Sequence, residues 1–403
     1  MFDLTVRKSL SVYENMKDPS FLKKFYKFKT VEMIKSNEIY GSSPPDLFVG
    51  RIGYPDVYIG PMVPPILGDT EIMGTPEMWV GKTIPEIVEL RSLLVRGMYR
   101  TKVTNPDKGR IEQTLKEIAL ADKFTPIDLT LKNRPSLNMS FSENSQPFGP
   151  SAQLESITVS NMHAEQHVED AYLDTSMPAS EAIIELYSKG VLVSKIQKAL
   201  AAGLLGRGKS RRFVPTRWSI TATDDTLSKH KLKELKQMGT ISKVELYESV
   251  ALDNRWVIIM LPGQWEYESM EAWYPNTTWN SSSKEIDIGA SYEPFEGRKT
   301  YAEIGGCYYA ARLAVTELLE KKQAQAKVLI LREVHSGYIM PVGVWNVREH
   351  VRAALKTNPL EFESVSSALS YASKRLEIPV PTWIENSTML KKQIYQKRLA
   401  TSL

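Results

Sequence analysis

The feature that most constrains the fold of this chain is the alternation of helix-like and strand-like segments. Apolar residues recur with helical spacing at 84–98, 109–121, 162–173, 180–188, 191–202, 226–238, 304–324 and 347–356. Strand-like patterns occupy 41–65, 217–223, 255–261, 327–333 and 340–346. Glycines at 190 and 203 follow two of the helical segments, where helix C-caps are expected. We therefore predict a mixed α/β (α+β) fold.

The 403 residues are enough for two or three domains. The segment 275–299 is rich in polar residues and turn formers, which indicates a linker or a long surface excursion. We predict a large N-terminal domain at 1–274 with a mixed sheet and helices, and a smaller C-terminal α/β domain at 275–386. The basic residues 387–403 are predicted to form a flexible tail.

Charge and cysteine content restrict the classes of partner and site. The formal charge of +4 is compatible with an anionic partner without requiring one. A single cysteine, Cys307, excludes an internal disulfide and a multi-cysteine zinc site, and it is typical of a reducing cytoplasm. The longest strongly apolar run, 256–261, is far too short to cross a membrane. We expect a soluble cytoplasmic protein with no membrane partner and no metal site; the sequence identifies no cofactor.

The densest motif is GLLGRGKS at 203–210, which satisfies the phosphate-loop pattern G-x-x-x-x-G-K-[ST]. A phosphate loop needs a strand before it and a helix after it, because the helix N-terminus binds the phosphate. Here a predicted helix precedes the glycines and a predicted strand follows them. The flanking segments therefore argue against a nucleotide-hydrolysing phosphate loop.

What remains is a basic turn that could contact phosphates of nucleic acid or of a nucleotide. Its cations are Arg207, Lys209, Arg211, Arg212 and Arg217. A solvated turn without a ligand is the alternative. The predicted strand 217–223 would place Ser219, Thr221 and Thr223 on one face. Asp224 or Asp225 would then cap the helix 226–238.

Other residues could complete a polar pocket for a nucleotide or a DNA end. The pocket candidates are Trp218, Ser219, Thr221, Arg298, Tyr301 and Arg332. Arg217 and Arg332 lie in or beside apolar strands, where an unpaired guanidinium is expensive, so a structural pair with Asp224, Asp225 or Glu333 is the alternative. Trp218 could stack on a base, although core packing is the other interpretation.

Long motifs of this sequence resemble the archaeal Nre family of DNA repair proteins. The segment VPTRWSITATDD at 214–225 is similar to a family signature, as are VEDAYLDTSMPASEAIIELYSKG at 168–190 and WEYESMEAWYP at 265–275. PPDLFVGRIGYP at 44–55, QPFGPSA at 146–152, YAEIGGCYYAARLAVTELL at 301–319 and LREVHSGYIMPVGVWNVREHVRAAL at 331–355 extend the resemblance in order. It covers most of the chain from about residue 40 onward.

The resemblance implies a role in repair of DNA damage and names no reaction. It also implies that members with a C-terminal clamp-binding motif bind the replication sliding clamp. A common N-terminal cysteine cluster of the family cannot form here, since Cys307 is the only cysteine. Any zinc-dependent DNA contact is thereby put in doubt.

The last eight residues carry a degenerate form of the clamp-binding pattern. Gln396 and Leu399 have the required spacing, and Leu403 can fill the final hydrophobic position. Ser402 stands where an aromatic residue is expected, and loss of such an anchor could cost roughly 2 kcal/mol of binding free energy. We predict weak clamp binding; an ordinary basic C-terminus is the alternative.

Our leading hypothesis is a DNA repair factor that contacts DNA or a nucleotide through the basic segment and the sliding clamp through its tail. The alternative is a metal-dependent hydrolase acting on nucleotides or nucleic acid, with Asp224, Asp225 and Glu333 as metal or base groups. A scaffold whose arginines are all structural is the third possibility.

Overall fold

A computed structural model describes residues 5–8, 34–136, 149–277, 279–280, 284–338 and 340–400. For residues 5–8 and 395–400 the description covers the backbone alone. The chain forms two compact units, which we call the N-terminal unit (Leu22–Leu227) and the C-terminal unit (Met1–Phe21 with Ser228–Leu403). The predicted boundary between residues 274 and 275 lies inside the C-terminal unit.

Thirteen strands are present among the described residues. They are β1 (Thr5–Lys8), β2 (Glu38–Ser43), β3 (Leu47–Val49), β4 (Asp56–Val63), β5 (Val95–Lys102), β6 (Thr125–Leu131), β7 (Ser151–Val159), β8 (Val244–Ala251), β9 (Asn254–Leu261), β10 (Glu266–Trp273), β11 (Glu285–Glu293), β12 (Lys327–Val334) and β13 (Leu360–Phe362).

The same described ranges contain twelve α-helices. They are α1 (Glu71–Gly74), α2 (Ile84–Ser92), α3 (Arg110–Leu120), α4 (Gln166–Leu173), α5 (Ala179–Ser188), α6 (Val193–Ala201), α7 (Thr216–Leu235), α8 (Gly306–Lys322), α9 (Trp345–Leu355), α10 (Val365–Ala372), α11 (Val380–Asn386) and α12 (Thr388–Ala400). Short 3-10 helices lie at Pro76–Trp79 and Gly208–Ser210.

The N-terminal unit is built on a six-stranded mixed sheet in the order β2-β6-β7-β5-β4-β3. Only β5 and β7 pair in parallel; the other neighbouring pairs are antiparallel. Val57 and Ile59 of β4 are buried, while Tyr58 between them is exposed, so the first half of this strand has one core face and one solvent face. The second half of β4 is buried throughout. Helices α3 to α6 belong to the same unit.

The C-terminal unit contains a seven-stranded mixed sheet in the order β1-β11-β10-β12-β9-β8-β13. One face packs against α10, α11 and α12 in an apolar cluster. Val257 of the sheet, Trp383 of α11 and Leu390 of α12 are members of this cluster. The opposite face contacts α8 and α9, since Tyr267 packs on Tyr308 and Trp256 stacks on His350. Helices therefore cover both faces, and β12 is apolar without interruption from Val328 to Leu331 for that reason.

These observations confirm the mixed α/β class and several of the predicted elements. The helices predicted at 109–121, 180–188 and 191–202 appear as α3, α5 and α6. Gly190 and Gly203 have positive φ angles of 84° and 72° one residue beyond the C-caps of α5 and α6. Glycine tolerates this left-handed conformation because it has no Cβ atom.

The predicted strand at 217–223 is wrong, because α7 already begins at Thr216. The hydroxyls that suggested a strand face bond to carbonyls of the preceding helical turn: Ser219 to Thr216 at 3.0 Å and Thr223 to Ser219 at 2.8 Å. Backbone acceptors thus satisfy buried Ser and Thr inside a helix. Seven residues of alternation cannot exclude a helix. Asp224 and Asp225 consequently lie within α7 and are not its N-cap.

Three further segments differ from their predictions. The helix predicted at 84–98 ends at Ser92, and β5 follows, paired on both sides by β4 and β7. The predicted linker 275–299 contains β11, whose Ile286 and Ile288 enter the core. The strand predicted at 340–346 is absent from its described residues, since Pro341 lacks an N–H and Gly343 takes a φ of 102°.

Candidate nucleic-acid interface

The basic turn of the N-terminal unit is anchored at both of its ends. The Gly208 amide donates to the Thr175 carbonyl at 3.0 Å, and the Phe213 amide donates to the Val103 carbonyl at 2.9 Å. The Phe213 side chain is buried. Helix α6 precedes the turn and α7 follows it, so the glycine pattern lacks the strand that a phosphate loop requires.

Arg211 is held inside this turn by backbone acceptors. Its guanidinium donates to the carbonyls of Gly206 at 2.7 Å and Asp174 at 2.9 Å, and it lies 4.9 Å from the centre of the Tyr172 ring. Burial lowers the pKa of Arg211, although the nearby Tyr172, Asp107 and Asp174 oppose that shift. Arg211 therefore stabilises the turn, and fewer of its donors face solvent than the phosphate hypothesis assumes.

Arg207, Lys209 and Arg212 have exposed side chains. Arg207 donates its Nε–H to the Ser176 carbonyl at 3.3 Å, and Arg212 donates its Nε–H to the Ser210 carbonyl at 3.4 Å. Each of these contacts uses one of the five guanidinium N–H donors, so the others can bind an anion. These three cations are presented to solvent as the phosphate-contact hypothesis requires.

An exposed aromatic pair lies at the start of α7. Trp218 is 44% exposed and Tyr54 is 45% exposed, and their ring centroids are 5.1 Å apart. The Thr216 hydroxyl accepts a hydrogen bond from the Val49 amide at 2.9 Å, which fixes the first turn of α7 on β3. The alternative interpretation was that Trp218 packs in the core. A side chain this exposed is not a core residue.

Tyr54 was not among the predicted site residues. It lies in the turn Gly53-Tyr54-Pro55 between β3 and β4, far from Trp218 in the sequence. A large aromatic side chain between two turn formers is the sequence signal that could have identified it, because such a position is rarely buried. Arg217, which precedes Trp218, is partly exposed.

Ser219, Thr221 and Asp224 face the interior of the N-terminal unit or their own helix. The Ser219 and Thr221 hydroxyls donate to carbonyls one turn earlier, to that of Arg217 at 3.4 Å in the case of Thr221. Asp224 is fully buried and accepts from the Gln197 side chain at 3.4 Å. These three side chains therefore stabilise the N-terminal unit through hydrogen bonds inside it. Asp225 is only partly exposed.

The remaining pocket candidates belong to the C-terminal unit. Buried Arg332 donates to Glu271 at 2.6 Å and to Asn254 at 2.9 Å, so its carboxylate partner is Glu271 and not one of the predicted acids. Burial alone would lower the pKa of Arg332, but the adjacent Glu271 carboxylate raises it overall. This arginine is structural.

Glu333, the third acid of the hydrolase hypothesis, has hydrogen-bond partners on both of its carboxylate oxygens. Its two carboxylate oxygens accept the amides of Glu377 at 3.0 Å and Ile378 at 2.8 Å, and His335 contacts it at 3.2 Å. Within the described ranges, no group of three or more His, Cys, Asp or Glu side chains could hold a metal ion. The predicted acids do not form a metal site there.

Arg298 and Tyr301 lie beside each other in the loop before α8. The Arg298 guanidinium donates to the Glu303 carboxylate at 2.8 Å and to the Tyr292 carbonyl at 2.7 Å. Tyr301 is exposed and packs its ring 5.4 Å from that of Tyr309. Arg298 thus organises this loop.

The C-terminal segment is helical over Thr388–Ala400. Glu268 accepts the amides of Thr388 at 2.8 Å and Met389 at 2.9 Å, and Met389 and Leu390 are buried. The segment predicted to be a flexible tail from residue 387 therefore begins as a docked helix. Gln396 and Leu399 lie in its last turns, where only the backbone is described, and Ser402 and Leu403 lie outside the described residues.

Comparison with known proteins gives two family matches. The description "Archaeal Nre, N-terminal" fits residues 16–280, and "Archaeal Nre, C-terminal" fits residues 293–401. The chain belongs to the archaeal Nre family. The Nre resemblance that the motifs predicted is thereby confirmed. The two family regions meet between residues 280 and 293, whereas the two compact units meet between residues 227 and 228.

Curated Nre relatives match over nearly the full chain. DNA repair protein NreB of Archaeoglobus fulgidus is 42% identical over 88% of this chain and 90% of its own length. DNA repair protein NreA of the same organism is 38% identical over 87% and 89%, and NreA of Haloferax volcanii is 33% identical over 89% and 88%. No solved structure matches the chain. None of the described helices is long and apolar enough to span a membrane.

Proposed function

We propose that this Nre chain acts in DNA repair in the cytoplasm and contacts single-stranded DNA through one surface of its N-terminal unit. We call it the basic–aromatic surface, and it comprises Arg207, Lys209, Arg212, Arg217, Trp218 and Tyr54. The repair role is supported by three relatives named DNA repair proteins. The DNA contact rests on one observation, the exposed Trp218–Tyr54 pair at the end of an exposed basic turn.

This combination suits an unpaired strand better than a duplex. Single-stranded DNA is bound by cations that follow its phosphates and by aromatic rings on which its bases stack. Stacking is worth about 1–3 kcal/mol per base and does not depend strongly on sequence. Trp218 and Tyr54, with 44% and 45% of their residue surface in solvent, can each accept a base without a change in the fold.

The test is fluorescence anisotropy of a labelled single-stranded oligonucleotide over a series of salt concentrations. Trp218→Ala should weaken binding by about 1–3 kcal/mol, with little change in the salt dependence, because it removes stacking and no charge. The double substitution Arg207→Glu and Arg212→Glu should lower affinity and also flatten the dependence on salt, because fewer counterions are released.

Two matched variants control for unspecific effects. Tyr40→Ala removes an exposed aromatic ring of β2, and the double substitution Lys356→Glu and Lys374→Glu reverses two exposed charges of the C-terminal unit. Both should bind DNA like the unaltered chain. Equal loss in the control and surface variants, or no loss in either, would remove the basic–aromatic surface as the DNA contact.

We also propose that the last eight residues bind the replication sliding clamp weakly. Gln396, Leu399 and Leu403 retain three positions of the clamp-binding pattern, and Ser402 replaces an aromatic anchor. Calorimetric titration of the cognate clamp should detect binding that is lost on removal of 396–403. This cut preserves Met389 and Leu390, which a cut after Asn386 would remove from the core.

Point variants sharpen the clamp test. Ser402→Phe should strengthen binding by about 2 kcal/mol, since it restores the missing anchor, whereas Leu399→Ala should abolish detectable binding. Lys397→Ala, which changes a residue outside the pattern, should leave the affinity unchanged. A clamp affinity indifferent to both Ser402→Phe and Leu399→Ala would show that the pattern is not a binding motif in this chain.

A further inference from the structure

A cleft in the N-terminal unit plays no part in the proposed DNA contact. It has a volume of about 260 Å³ and lies between the end of α3, the start of α4 and the start of α6. Lys195 of α6 forms part of its wall. The titratable side chains around the cleft are Glu71, Asp122, Lys123, Glu165, His167, Lys189, Lys195 and Lys198.

The amino group of Lys195 has an unusual set of partners. Its Nζ donates to the Ala119 carbonyl at 2.7 Å and to the Ala121 carbonyl, both at the C-terminal end of α3. In the described part of the chain, no carboxylate forms an ion pair with it. A neutral amine has two N–H groups and one lone pair, so two carbonyl acceptors satisfy its donors and leave the lone pair available.

The electrostatic surroundings favour that neutral form. Burial, together with the neighbouring Lys198 side chain, lowers the pKa of Lys195 to about 7, against the weaker opposing effect of Glu165 and Asp122. Burial also lowers the pKa of Lys198, whose amino group donates to the Gly74 carbonyl at 2.7 Å. At pH 7 about half of such an amine is neutral, compared with roughly 0.1% or less of an ordinary lysine. Lysines become nucleophiles when they are desolvated beside another cation.

Lys189 provides an internal contrast at the same cleft. It donates to the Glu185 carboxylate at 2.6 Å, and that contact raises its pKa. Lys189 therefore stays protonated near neutral pH and has no free lone pair. Both side chains line one cleft, and of these two only Lys195 has a lowered pKa, as a nucleophilic amine requires.

We propose that Lys195 captures an aldehyde in this cleft as an imine. The Nζ lone pair forms a bond to the carbonyl carbon, and one proton moves from nitrogen to the carbonyl oxygen to give a carbinolamine. The hydroxyl then leaves with the second amine proton as water, and a C=N bond remains. Water reverses the step, so no oxidant or reductant is consumed.

The aldehyde could be a free small molecule or the ring-opened sugar at an abasic site in DNA. The cleft volume of about 260 Å³ lies just below the roughly 300–1,000 Å³ of drug-sized ligand sites, which favours a small aldehyde. The DNA source rests on the function proposed above, whereas the imine chemistry does not.

The experiment traps the imine by reduction in the full-length chain. The protein is incubated either with an oligonucleotide carrying one abasic site or with propionaldehyde, cyanoborohydride is added, and the modified lysines are identified by peptide mass spectrometry. We expect Lys195 to be alkylated at least about tenfold faster than Lys189 at pH 7. With cyanoborohydride in excess, so that imine formation limits the rate, alkylation of Lys195 should level off above pH 7, while alkylation of Lys189 keeps rising beyond pH 9.

Lys195→Arg should abolish the fast adduct and leave only the slow alkylation of Lys189 and other lysines, because arginine retains donors for the two carbonyls and is never a nucleophile at this pH. The pH profiles of Lys195 and Lys189 come from the unaltered chain, so the test stands even if that variant fails to fold. Trapping of propionaldehyde but not abasic DNA at Lys195 would support the imine and assign a small-molecule source. Alkylation of Lys195 no faster than Lys189 with either probe would overturn the proposal.

Discussion

Arginines serve opposite purposes in the basic turn of the N-terminal unit and in the core of the C-terminal unit. Arg207 and Arg212 are exposed, and each makes one long contact with a carbonyl of the same unit. Arg332 is buried and donates to Glu271 and Asn254, with Trp256 and Trp273 beside its guanidinium. A cation that is to bind a ligand must keep its donors in water, whereas a cation in a core must be fully paired.

Lys195 stands between these two cases. It is largely buried like Arg332, yet its partners are backbone carbonyls and its pKa is lowered, whereas that of Arg332 is raised. The difference follows from the partner: Glu271 supplies a full negative charge to the arginine, and carbonyl dipoles supply less to the lysine. Three predictions test this comparison, from the largest expected effect to the smallest.

Glu271→Ala should have the largest effect. It leaves the buried Arg332 guanidinium without its carboxylate, which typically costs about 3–5 kcal/mol of unfolding free energy. Urea unfolding followed by tryptophan fluorescence measures the change. Glu271→Gln, which keeps an acceptor oxygen, should cost less; a loss below about 1 kcal/mol in both variants would contradict the structural role of the pair.

Removing the Lys195 charge should change how stability depends on pH. Because the pKa of Lys195 is about 7 in the folded chain and about 10.4 when unfolded, the unfolded chain binds more protons between these values. The unfolding free energy should therefore rise with pH, by up to about 2 kcal/mol from pH 7 to pH 9. Lys195→Met should lack this contribution; parallel curves for both proteins would show that the pKa is not lowered.

The smallest effects distinguish two neighbouring arginines of the turn. Arg211→Ala should lower the unfolding free energy by about 1–2 kcal/mol, since it removes hydrogen bonds to the Gly206 and Asp174 carbonyls. Arg212→Ala should change it by less than about 0.5 kcal/mol, as expected for an exposed side chain. The order should reverse in DNA binding, to which the proposed surface makes Arg212 the expected larger contributor. Equal effects in both measurements would show that the two arginines do not divide these roles.

Much of the local structure could be predicted from the sequence. The C-terminal glycines of α5 and α6, the apolar β9 and β12, and the periodicity of α3 each follow from short-range patterns with a direct physical cause. The Nre family could also be recognised from several long motifs of the sequence, and the two family matches confirm it. For the site, the sequence was enough to name the cations of the basic turn. It could not show that Arg211 is held by backbone carbonyls while the others are exposed.

Tertiary structure alone decided which polar groups are available for chemistry. The sequence letters of Arg211 and Arg212 are the same, but Tyr172 and the Asp174 carbonyl surround only the first. The Thr and Ser of 219–223 alternate like a strand, yet the carbonyls of a helix satisfy them. Contacts between residues that are far apart in the sequence bring Tyr54 to Trp218. Such contacts also bring Lys195 to the end of α3. Burial and pairing depend on those contacts, so no local pattern could determine them.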